Sequence, residues 1–278
     1  MGSPLISVTE LREAIDSENP PKLLDVRWKL GGPPGALEYG SGHIPTAVYV
    51  DLDSELARHG KPTDGRHPLP DSADLESAAR RWGLNNGDSV VVYDDAFGMS
   101  AARAWWLLRY AGVSDVRVLD GGYAAWCAVN APISMSDESP APGNVQLRYG
   151  SLPTIDTDGA VRLARDGVLL DARALERYRG DVEPIDPRAG HIPGAMSAPT
   201  AENLDSSGLM LAPEALAERF SRVGVSENTR VGVYCGSGVT AAHEALALVV
   251  AGLPMPALYP GSFSAWSNDP EREVARVG

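Results

Sequence analysis

A cysteine in a glycine-rich turn is the residue of this sequence best placed to do chemistry. The stretch that follows the apolar run ending at Tyr234 is Cys235-Gly236-Ser237-Gly238-Val239-Thr240, and an apolar helix is predicted to begin near Ala241. Two glycines within four residues let successive backbone N–H groups point inward and form a nest for an anion, which the N-terminus of the helix reinforces. A thiolate is stabilised there without a basic side chain. We therefore expect Cys235 to act as a nucleophile, and we call residues 235–240 the cysteine loop.

Residues that are missing from the cysteine loop exclude two other chemistries. A phosphatase of the Cys-x5-Arg type needs an arginine six positions after the cysteine, and that position is Ala241. The loop also lacks the Gly-Lys-Ser/Thr ending of a nucleotide-binding loop. Cysteine and histidine nowhere occur at the spacing of metal ligands, so we expect no metal and no cofactor.

The elements that position this loop occur twice in the chain. Four short motifs return in the same order about 140 residues later, as is typical of a duplicated domain. The pairs begin at Leu23 and Leu169, Gly42 and Gly190, Val91 and Gly232, and Gly121 and Gly261.

Each half of the chain alternates predicted strands and helices. Strand-length apolar runs at residues 22–26, 48–50, 89–93 and 116–119 indicate a small parallel sheet buried between helices, hence the α/β class. The helices predicted over 101–110 and 241–250 are each followed by a glycine two residues later, a common position for helix termination. We expect an N-terminal domain at 1–131, an exposed proline- and glycine-containing linker at 132–152 and a C-terminal domain at 153–278.

Composition and charge limit the partners. The chain has 278 residues and a formal net charge of −13, which repels polyanions, so nucleic acid is not an expected partner. No apolar run is long enough to span a membrane, and no membrane partner is expected. Two cysteines and no signal-peptide pattern indicate a reducing cytoplasm.

Taken together, these motifs resemble the rhodanese superfamily, and specifically its tandem-domain sulfurtransferases. The resemblance covers essentially the whole chain and rests on the cysteine loop, both Gly-His-Ile-Pro turns, the Asp-x-Arg strand ends at Asp25 and Asp171, and the closing motif at residues 261–266. The cysteine loop matches the signature of 3-mercaptopyruvate sulfurtransferases, whereas thiosulfate-preferring relatives usually carry an Arg-Lys pair after the cysteine. The resemblance implies two tandem rhodanese-like domains with a catalytically inactive first domain.

The resemblance also implies a two-step transfer through a persulfide on Cys235. The small anionic donor is 3-mercaptopyruvate or thiosulfate, and a thiol, cyanide or a protein accepts the sulfur. In this family the active pocket forms between the domains. We expect Ser237 either to donate a hydrogen bond to substrate or persulfide or to cap the following helix. The other loop residues, Gly236, Gly238, Val239 and Thr240, are expected to line the substrate site, with the Thr240 hydroxyl chiefly closing the loop.

Two arginines are candidates for holding the anionic donor, because a guanidinium meets two oxygens at once. Arg177 matches the family segment whose first arginine contacts substrate. Mercaptopyruvate enzymes commonly carry a second arginine after a Glu-Pro pair, but here Ile185 follows that pair. Arg188 is the nearest replacement, and it either binds substrate or forms an ordinary loop ion pair.

Other reactive side chains are given structural roles. The first copy has Asp94 and Asp95 in the place of the nucleophile, and both are expected to satisfy hydrogen bonds of their loop or of an interface. His43 and His191 are expected to fasten the two Gly-His-Ile-Pro turns, with proton transfer by His43 as the alternative. Cys127 lies outside any glycine-rich turn and is expected to be a packed or incidental cysteine.

A second function from a different class uses the same cysteine. The protein could be a persulfide carrier that a partner protein charges and that delivers its sulfur to another protein. Turnover with a small donor and a small acceptor distinguishes the enzyme from the carrier.

Overall fold

The computed structural model describes residues 2–277, which fall into two compact units. The first unit consists of the chain up to Arg58, Pro70–Ser151 and Ser207–Leu209. The second consists of His59–Leu69, Leu152–Ser206 and the chain from Met210 onward. Each unit thus includes a short segment from the other half of the sequence.

The first unit is built on five parallel strands. In chain order its elements are β1 (Leu5–Ile6), α1 (Val8–Ile15), β2 (Lys22–Asp25), α2 (Gly35–Gly40), β3 (Val48–Tyr49), α3 (Leu52–Glu55), α4 (Ser72–Arg81), β4 (Val90–Tyr93), α5 (Ala101–Tyr110), β5 (Val116–Leu119) and α6 (Gly122–Ala128). The strand order in the sheet is β1-β5-β4-β2-β3. The central strand β4 is buried along its whole length, as the continuous apolar run predicted.

The second unit repeats this plan with four parallel strands. Its elements are a 3-10 turn (Pro62–Asp64), α7 (Thr157–Asp166), β6 (Val168–Asp171), α8 (Leu175–Arg179), β7 (Met196–Ser197), a second 3-10 turn (Thr200–Asn203), α9 (Pro213–Arg222), β8 (Val231–Tyr234), α10 (Thr240–Val250), β9 (Ala257–Leu258) and α11 (Ser262–Asn268). The strand order is β7-β6-β8-β9. The predicted α/β class with two parallel sheets is confirmed. Among residues 2–277, no helix combines the length and the apolar character that crossing a membrane requires.

In the first unit an aspartate–arginine pair fastens the Gly-His-Ile-Pro turn to the end of β2. Arg27 donates from Nη2 to Asp25 Oδ2 at 2.7 Å and to the carbonyl of Gly42 at 2.8 Å, and both side chains are buried. His43 Nδ1 is hydrogen-bonded to the carbonyl of Tyr39 at 3.0 Å, and its ring stacks on the tyrosine ring with centroids 3.8 Å apart. These contacts hold the turn as the sequence predicted.

The second unit has the same pair at the end of β6. Arg173 Nη2 donates to Asp171 Oδ2 and to the carbonyl of Gly190, both at 2.6 Å. His191 Nδ1 is hydrogen-bonded to the carbonyl of Tyr178 at 2.8 Å, and the two rings stack at 3.8 Å. Burial lowers the pKa of His191 despite its hydrogen bond to the Tyr178 carbonyl, so the neutral ring is favoured.

The segment predicted as an exposed linker is largely exposed, but it belongs to the first unit and is hydrogen-bonded to it at several positions. Gly143 and Val145 donate backbone hydrogen bonds to the carbonyls of Arg80 and Leu84 at 2.8 and 3.1 Å, and Val145 is buried. A Cβ on Gly143 would lie 1.9 Å from the Leu84 carbonyl oxygen, so only glycine permits this approach. Proline and glycine here shape an extended arm that is hydrogen-bonded to the first unit, a role that composition does not distinguish from a flexible linker.

The segment His59–Leu69, called the basic loop below, also departs from the predicted boundary. It lies in the second unit, although the sequence assigned it to a domain spanning 1–131. Gly65 adopts φ +92°, and a Cβ there would lie 2.7 Å from the carbonyl oxygen of Gly261. The backbone N–H of Arg66 donates to Ser264 Oγ at 3.0 Å, which ties the basic loop to α11. Long-range contacts of this kind leave no periodic pattern in the sequence.

The loop after β4 carries the aspartate that replaces the cysteine in the first copy. The Asp94 carboxylate is fully buried and accepts four backbone hydrogen bonds of 2.7–2.8 Å, from the N–H groups of Ala96, Gly98, Ser100 and Ala101. Asp95 forms an ion pair with Lys29 at 2.6 Å. Loop hydrogen bonding of Asp94, one of the two predicted roles, is confirmed.

We expect Asp94→Ala to lower the free energy of unfolding by about 3 kcal/mol or more, because three buried and one half-buried N–H groups lose their acceptor. Urea denaturation measures this change. The neighbouring Asp95→Ala is the matched control and should cost below about 1 kcal/mol, since its partner Lys29 is half-exposed. Equal losses in the two variants would contradict this account of the loop.

Candidate active site

The cysteine loop begins at the carboxyl end of β8, in the interior of the second sheet. β8 pairs with β6 on one side and with β9 on the other, and α10 begins at Thr240. In open parallel sheets, ligands bind at the carboxyl ends of strands. The fold therefore places Cys235 where the sequence predicted a site.

The first residues of α11 hold the cysteine loop in position. The Cys235 N–H donates to Ser262 Oγ at 3.2 Å, and the Cys235 carbonyl accepts the N–H of Phe263 at 2.9 Å. The Gly236 carbonyl accepts the N–H of Ser264 at 2.8 Å. The closing motif at residues 261–266 thus fixes the backbone on which the thiol is mounted.

The thiol of Cys235 lies inside its own loop. The residue is 2% exposed, and Sγ accepts the N–H of Gly238 at 3.1 Å, which glycine permits by adopting φ +81°. Within residues 2–277, the N–H groups of Ser237 and Val239 donate to no protein acceptor. The loop thus offers backbone donors to a negative charge on or near the sulfur.

Ser237 is hydrogen-bonded to a histidine that sequence reasoning did not identify. His67, from the basic loop, places Nδ1 2.7 Å from Ser237 Oγ, and both residues are 7% exposed. α10 begins with Val239 as its N-cap and without a side-chain cap, so the alternative role of Ser237 as a helix cap is wrong. A buried hydroxyl–imidazole pair beside a thiol can accept and return a proton.

Arg177 extends from α8 toward the cysteine loop, where two acidic side chains fix its guanidinium. Its Nε and Nη2 donate to Glu183 at 3.2 and 2.7 Å, and Nη2 also contacts Asp186 at 3.1 Å. Burial alone would raise the pKa of Glu183, but the hydrogen bonds from Arg177 and from backbone N–H groups outweigh it and hold that pKa below its usual value. Glu183 is therefore ionised and orients the arginine.

The comparisons with known proteins agree with this geometry. The family model described as "Rhodanese-like domain" matches residues 7–129 and 157–269. This chain belongs to the rhodanese family. The two matches confirm a tandem arrangement of rhodanese-like domains.

Whole-length relatives and a solved structure carry sulfurtransferase names. A Mycobacterium tuberculosis protein named "Putative thiosulfate sulfurtransferase SseB" is 46% identical over 278 residues, which cover 99% of this chain and 98% of the relative. A Pseudomonas aeruginosa protein named "Probable 3-mercaptopyruvate sulfurtransferase" is 48% identical over 260 residues, 91% of each chain. The crystal structure of SseA from Escherichia coli, described as a 3-mercaptopyruvate sulfotransferase, matches with a TM-score of 0.84 and 31% identity, covering 94% of this chain and 99% of that one.

The expectation that Arg188 of this rhodanese binds substrate is not supported by its contacts. Its guanidinium donates four hydrogen bonds of 2.6–2.9 Å to the backbone carbonyls of Trp266, Ser267, Asp269 and Arg272. These carbonyls lie at and beyond the C-terminal end of α11, where a cation is favoured. Arg188 forms no ion pair within residues 2–277, so the predicted loop ion pair is wrong. Four of its five guanidinium N–H groups donate to backbone carbonyls, and its contact with substrate stays a prediction that these hydrogen bonds do not favour.

The remaining candidates are separated by the fold of this rhodanese. Cys127 lies on α6 in the first unit and is exposed, so of the two predicted roles the packed cysteine is wrong and the incidental cysteine stays a prediction. Gly236, Gly238, Val239 and Thr240 all belong to the loop around the thiol, and their contact with substrate stays a prediction. Within residues 2–277 no group of three or more His, Cys, Asp or Glu side chains is arranged to hold a metal ion.

The contacts of Arg188 generate a test. Arg188→Ala should lower the free energy of unfolding by about 2–4 kcal/mol, because four carbonyls lose a charged donor. The variant should keep the wild-type KM for the sulfur donor. Steady-state kinetics at a temperature where the variant is still folded would measure this. Arg165→Ala is the matched surface control, since Arg165 is exposed and pairs only with its neighbour Asp166. A raised KM with unchanged stability would restore Arg188 as a substrate ligand.

Proposed function

We propose that this rhodanese is a sulfurtransferase that carries sulfur as a persulfide on Cys235. The observation that carries the proposal is the buried thiol whose Sγ accepts a loop N–H, beside a hydroxyl–imidazole pair and an oriented arginine. The names of the whole-length relatives support the same reaction class.

The first step transfers sulfur from donor to enzyme. The Cys235 thiolate attacks the donor's sulfur, and a sulfur–sulfur bond forms. With 3-mercaptopyruvate, the electron pair of the broken carbon–sulfur bond passes to carbon and gives the enolate of pyruvate. The donor's thiol proton ends on that carbon, so pyruvate leaves and the persulfide anion remains. With thiosulfate, sulfite leaves and takes the electron pair of the broken sulfur–sulfur bond without needing a proton.

The second step returns the enzyme to its starting state. A nucleophilic acceptor attacks the outer sulfur of the persulfide, and the pair of the broken sulfur–sulfur bond returns to Cys235 as thiolate. With cyanide the product is thiocyanate, and with a thiol it is a new persulfide. The N–H of Gly238, 3.1 Å from Sγ, stabilises the negative charge on Cys235 before and after this cycle.

Of the two donors, 3-mercaptopyruvate is the one that we favour. Only its leaving group needs a proton, and the Ser237–His67 pair is a buried group able to take the donor's thiol proton and pass it to that carbon. Arg177 suits the carboxylate of that donor. Thiosulfate remains the second candidate, because the same arginine can bind its sulfonate and one relative is named as a thiosulfate sulfurtransferase.

A thiol that must stay reduced between turnovers suits a reducing compartment. We therefore propose the cytoplasm as the place of action.

The proposed mechanism predicts a persulfide on Cys235. Wild-type protein treated with 3-mercaptopyruvate and no acceptor should gain one sulfur atom, located on Cys235 by intact and peptide mass spectrometry. Cys235→Ser should gain none and lose at least about a thousandfold in sulfur transfer, because nucleophilic catalysis is abolished. The matched control Cys127→Ser should retain wild-type activity. Sulfur transfer by Cys235→Ser would overturn the mechanism. If the wild-type protein acquires sulfur only from another protein and not from a small donor, it is a carrier.

The role of the hydroxyl–imidazole pair predicts a difference between donors. Ser237→Ala and His67→Ala should each lower kcat with 3-mercaptopyruvate by about a hundredfold, the usual size of a general acid–base contribution. Neither should slow thiosulfate by more than a small factor, since sulfite needs no proton.

The control for this experiment is Ser221→Ala, an exposed serine of α9 bonded to its own helix. The double variant Ser237→Ala/His67→Ala should be no slower than the slower single variant, because the two side chains act as one unit. Equal losses with both donors would contradict the proton-transfer role.

A further inference from the structure

A second arginine approaches the cysteine loop from a part of the chain that sequence analysis left without a role. Arg66 lies in the basic loop and forms an ion pair from Nη1 to Oδ1 of Asp186. Arg177 contacts the other oxygen, Oδ2, of the same carboxylate at 3.1 Å. The carboxylate of Asp186 is almost completely buried, so it fixes both guanidinium groups beside one another.

Both guanidinium groups are directed at Gly236, the residue after the nucleophile. A Cβ built on Gly236 would lie 2.8 Å from Nη2 of Arg66 and 3.5 Å from Nη1 of Arg177. A side chain at this position would therefore collide with Arg66. The glycine therefore allows the Arg66 guanidinium to approach the cysteine loop this closely.

Each arginine has N–H donors left over. Arg66 Nε is buried and has no hydrogen-bond partner in the described structure. Within residues 2–277, Nη2 of Arg66 and Nη1 of Arg177 also donate to no protein acceptor. These are the two atoms nearest to Gly236. A buried donor without an acceptor is rare in folded proteins, so Nε of Arg66 indicates a place for an acceptor that the chain does not supply.

We infer that Arg66 is a second anion-binding residue, which together with Arg177 holds the carboxylate or sulfonate of the donor beside Gly236. The inference rests on the proposed function and deepens it, because it names the group that recognises the donor's charge. It also fills the position for which the sequence offered Arg188. Two guanidinium groups donate more hydrogen bonds to the oxygens of one carboxylate or sulfonate than a single guanidinium does.

The charge balance of the surrounding cluster explains why two arginines are needed. Arg66, Arg173 and Arg177 face Asp171, Glu183 and Asp186, so the cluster is neutral before the donor arrives. In a chain of net charge −13, neither the cluster nor the protein as a whole attracts an anion. Binding must therefore come from N–H groups directed at the anion at short range. Arg177 uses part of its N–H groups on Glu183, and Arg66 provides further ones for the anion.

A purely structural role for Arg66 is the alternative. The basic loop is also held by the Arg66 backbone N–H, which donates to Ser264 Oγ, and by the contact of Gly65 with the Gly261 carbonyl. These anchors do not use the guanidinium. A test must therefore respond to the charge of Arg66 and not to the order of the loop.

Alkylation of Cys235 by two reagents of the same size separates these roles without needing sulfur transfer. Iodoacetate carries a carboxylate and iodoacetamide does not, so the ratio of their rate constants reports anion binding beside the thiol. The background is Cys127→Ser, which leaves Cys235 as the sole thiol, and the reference is the same chain unfolded in urea.

We expect the ratio of the iodoacetate rate constant to the iodoacetamide rate constant to be higher for the folded chain than for the unfolded reference. Arg66→Met, which keeps an apolar stem, should reduce that preference by about tenfold, the loss of roughly one charged hydrogen bond. Arg66→Lys should retain part of it, and the surface variant Arg165→Ala should retain all of it. A preference in Arg66→Met equal to that of the parent, or no preference in the parent chain, overturns the inference.

Steady-state kinetics with 3-mercaptopyruvate and thiosulfate distinguish this inference from the proposed function. Arg66→Met should raise KM about tenfold for the preferred donor while kcat changes less, because the arginine binds the part of the donor that does not react. Unchanged KM with active enzyme would contradict the role of Arg66 and leave the function standing. An iodoacetate preference that depends on Arg66, in a protein that turns over neither donor, would contradict the function and leave the anion site standing.

Discussion

A buried acidic side chain at the carboxyl end of a central strand is the constraint on which both halves of this rhodanese depend. Such a group is tolerated only where N–H donors surround it. In the first unit the group is the carboxylate of Asp94, which accepts four N–H groups. In the second unit the corresponding residue is Cys235, whose sulfur accepts the N–H of Gly238. Both follow a buried tyrosine, and the backbone carbonyl of each accepts an N–H from the helix that ends the repeat.

The difference between the two loops accounts for the difference in chemistry. A carboxylate that uses its oxygens on its own loop is held tightly and offers no electron pair to a substrate. The Cys235 sulfur accepts one loop N–H, so it keeps electron pairs that its loop does not use. The duplicated fold thus supports one structural loop and one reactive loop with the same backbone plan.

The reactive loop depends on segments that are far apart in the chain. The start of α11 fixes the loop backbone, the basic loop supplies His67 and Arg66, and α8 supplies Arg177. Asp186 connects the two arginines and is itself buried. Burial raises the pKa of Asp186, while the neighbouring arginines lower it, so this carboxyl is sensitive to the loss of either arginine. Anion recognition in so acidic a protein is therefore a local property of a few directed N–H groups.

The sequence by itself determined the duplicated α/β plan and the parallel sheets, and it predicted the nucleophile and an inactive first copy. These follow from local patterns: apolar runs of strand length, glycines around a cysteine, and motifs that return in order. Only the tertiary structure paired His67 with Ser237, engaged Arg188 with the carbonyls at the end of α11, hydrogen-bonded residues 132–152 to the first unit and placed Arg66 beside Gly236. One sign was present in the sequence, because the segment before α4 carries Arg66 and His67 while the matching segment before α9 carries neither arginine nor histidine. The physical reason is that a guanidinium or imidazole acts only on the atoms within its contact distance. Those atoms belong to distant segments, such as His67 and Ser237, which are 170 positions apart, and tertiary packing brings them together.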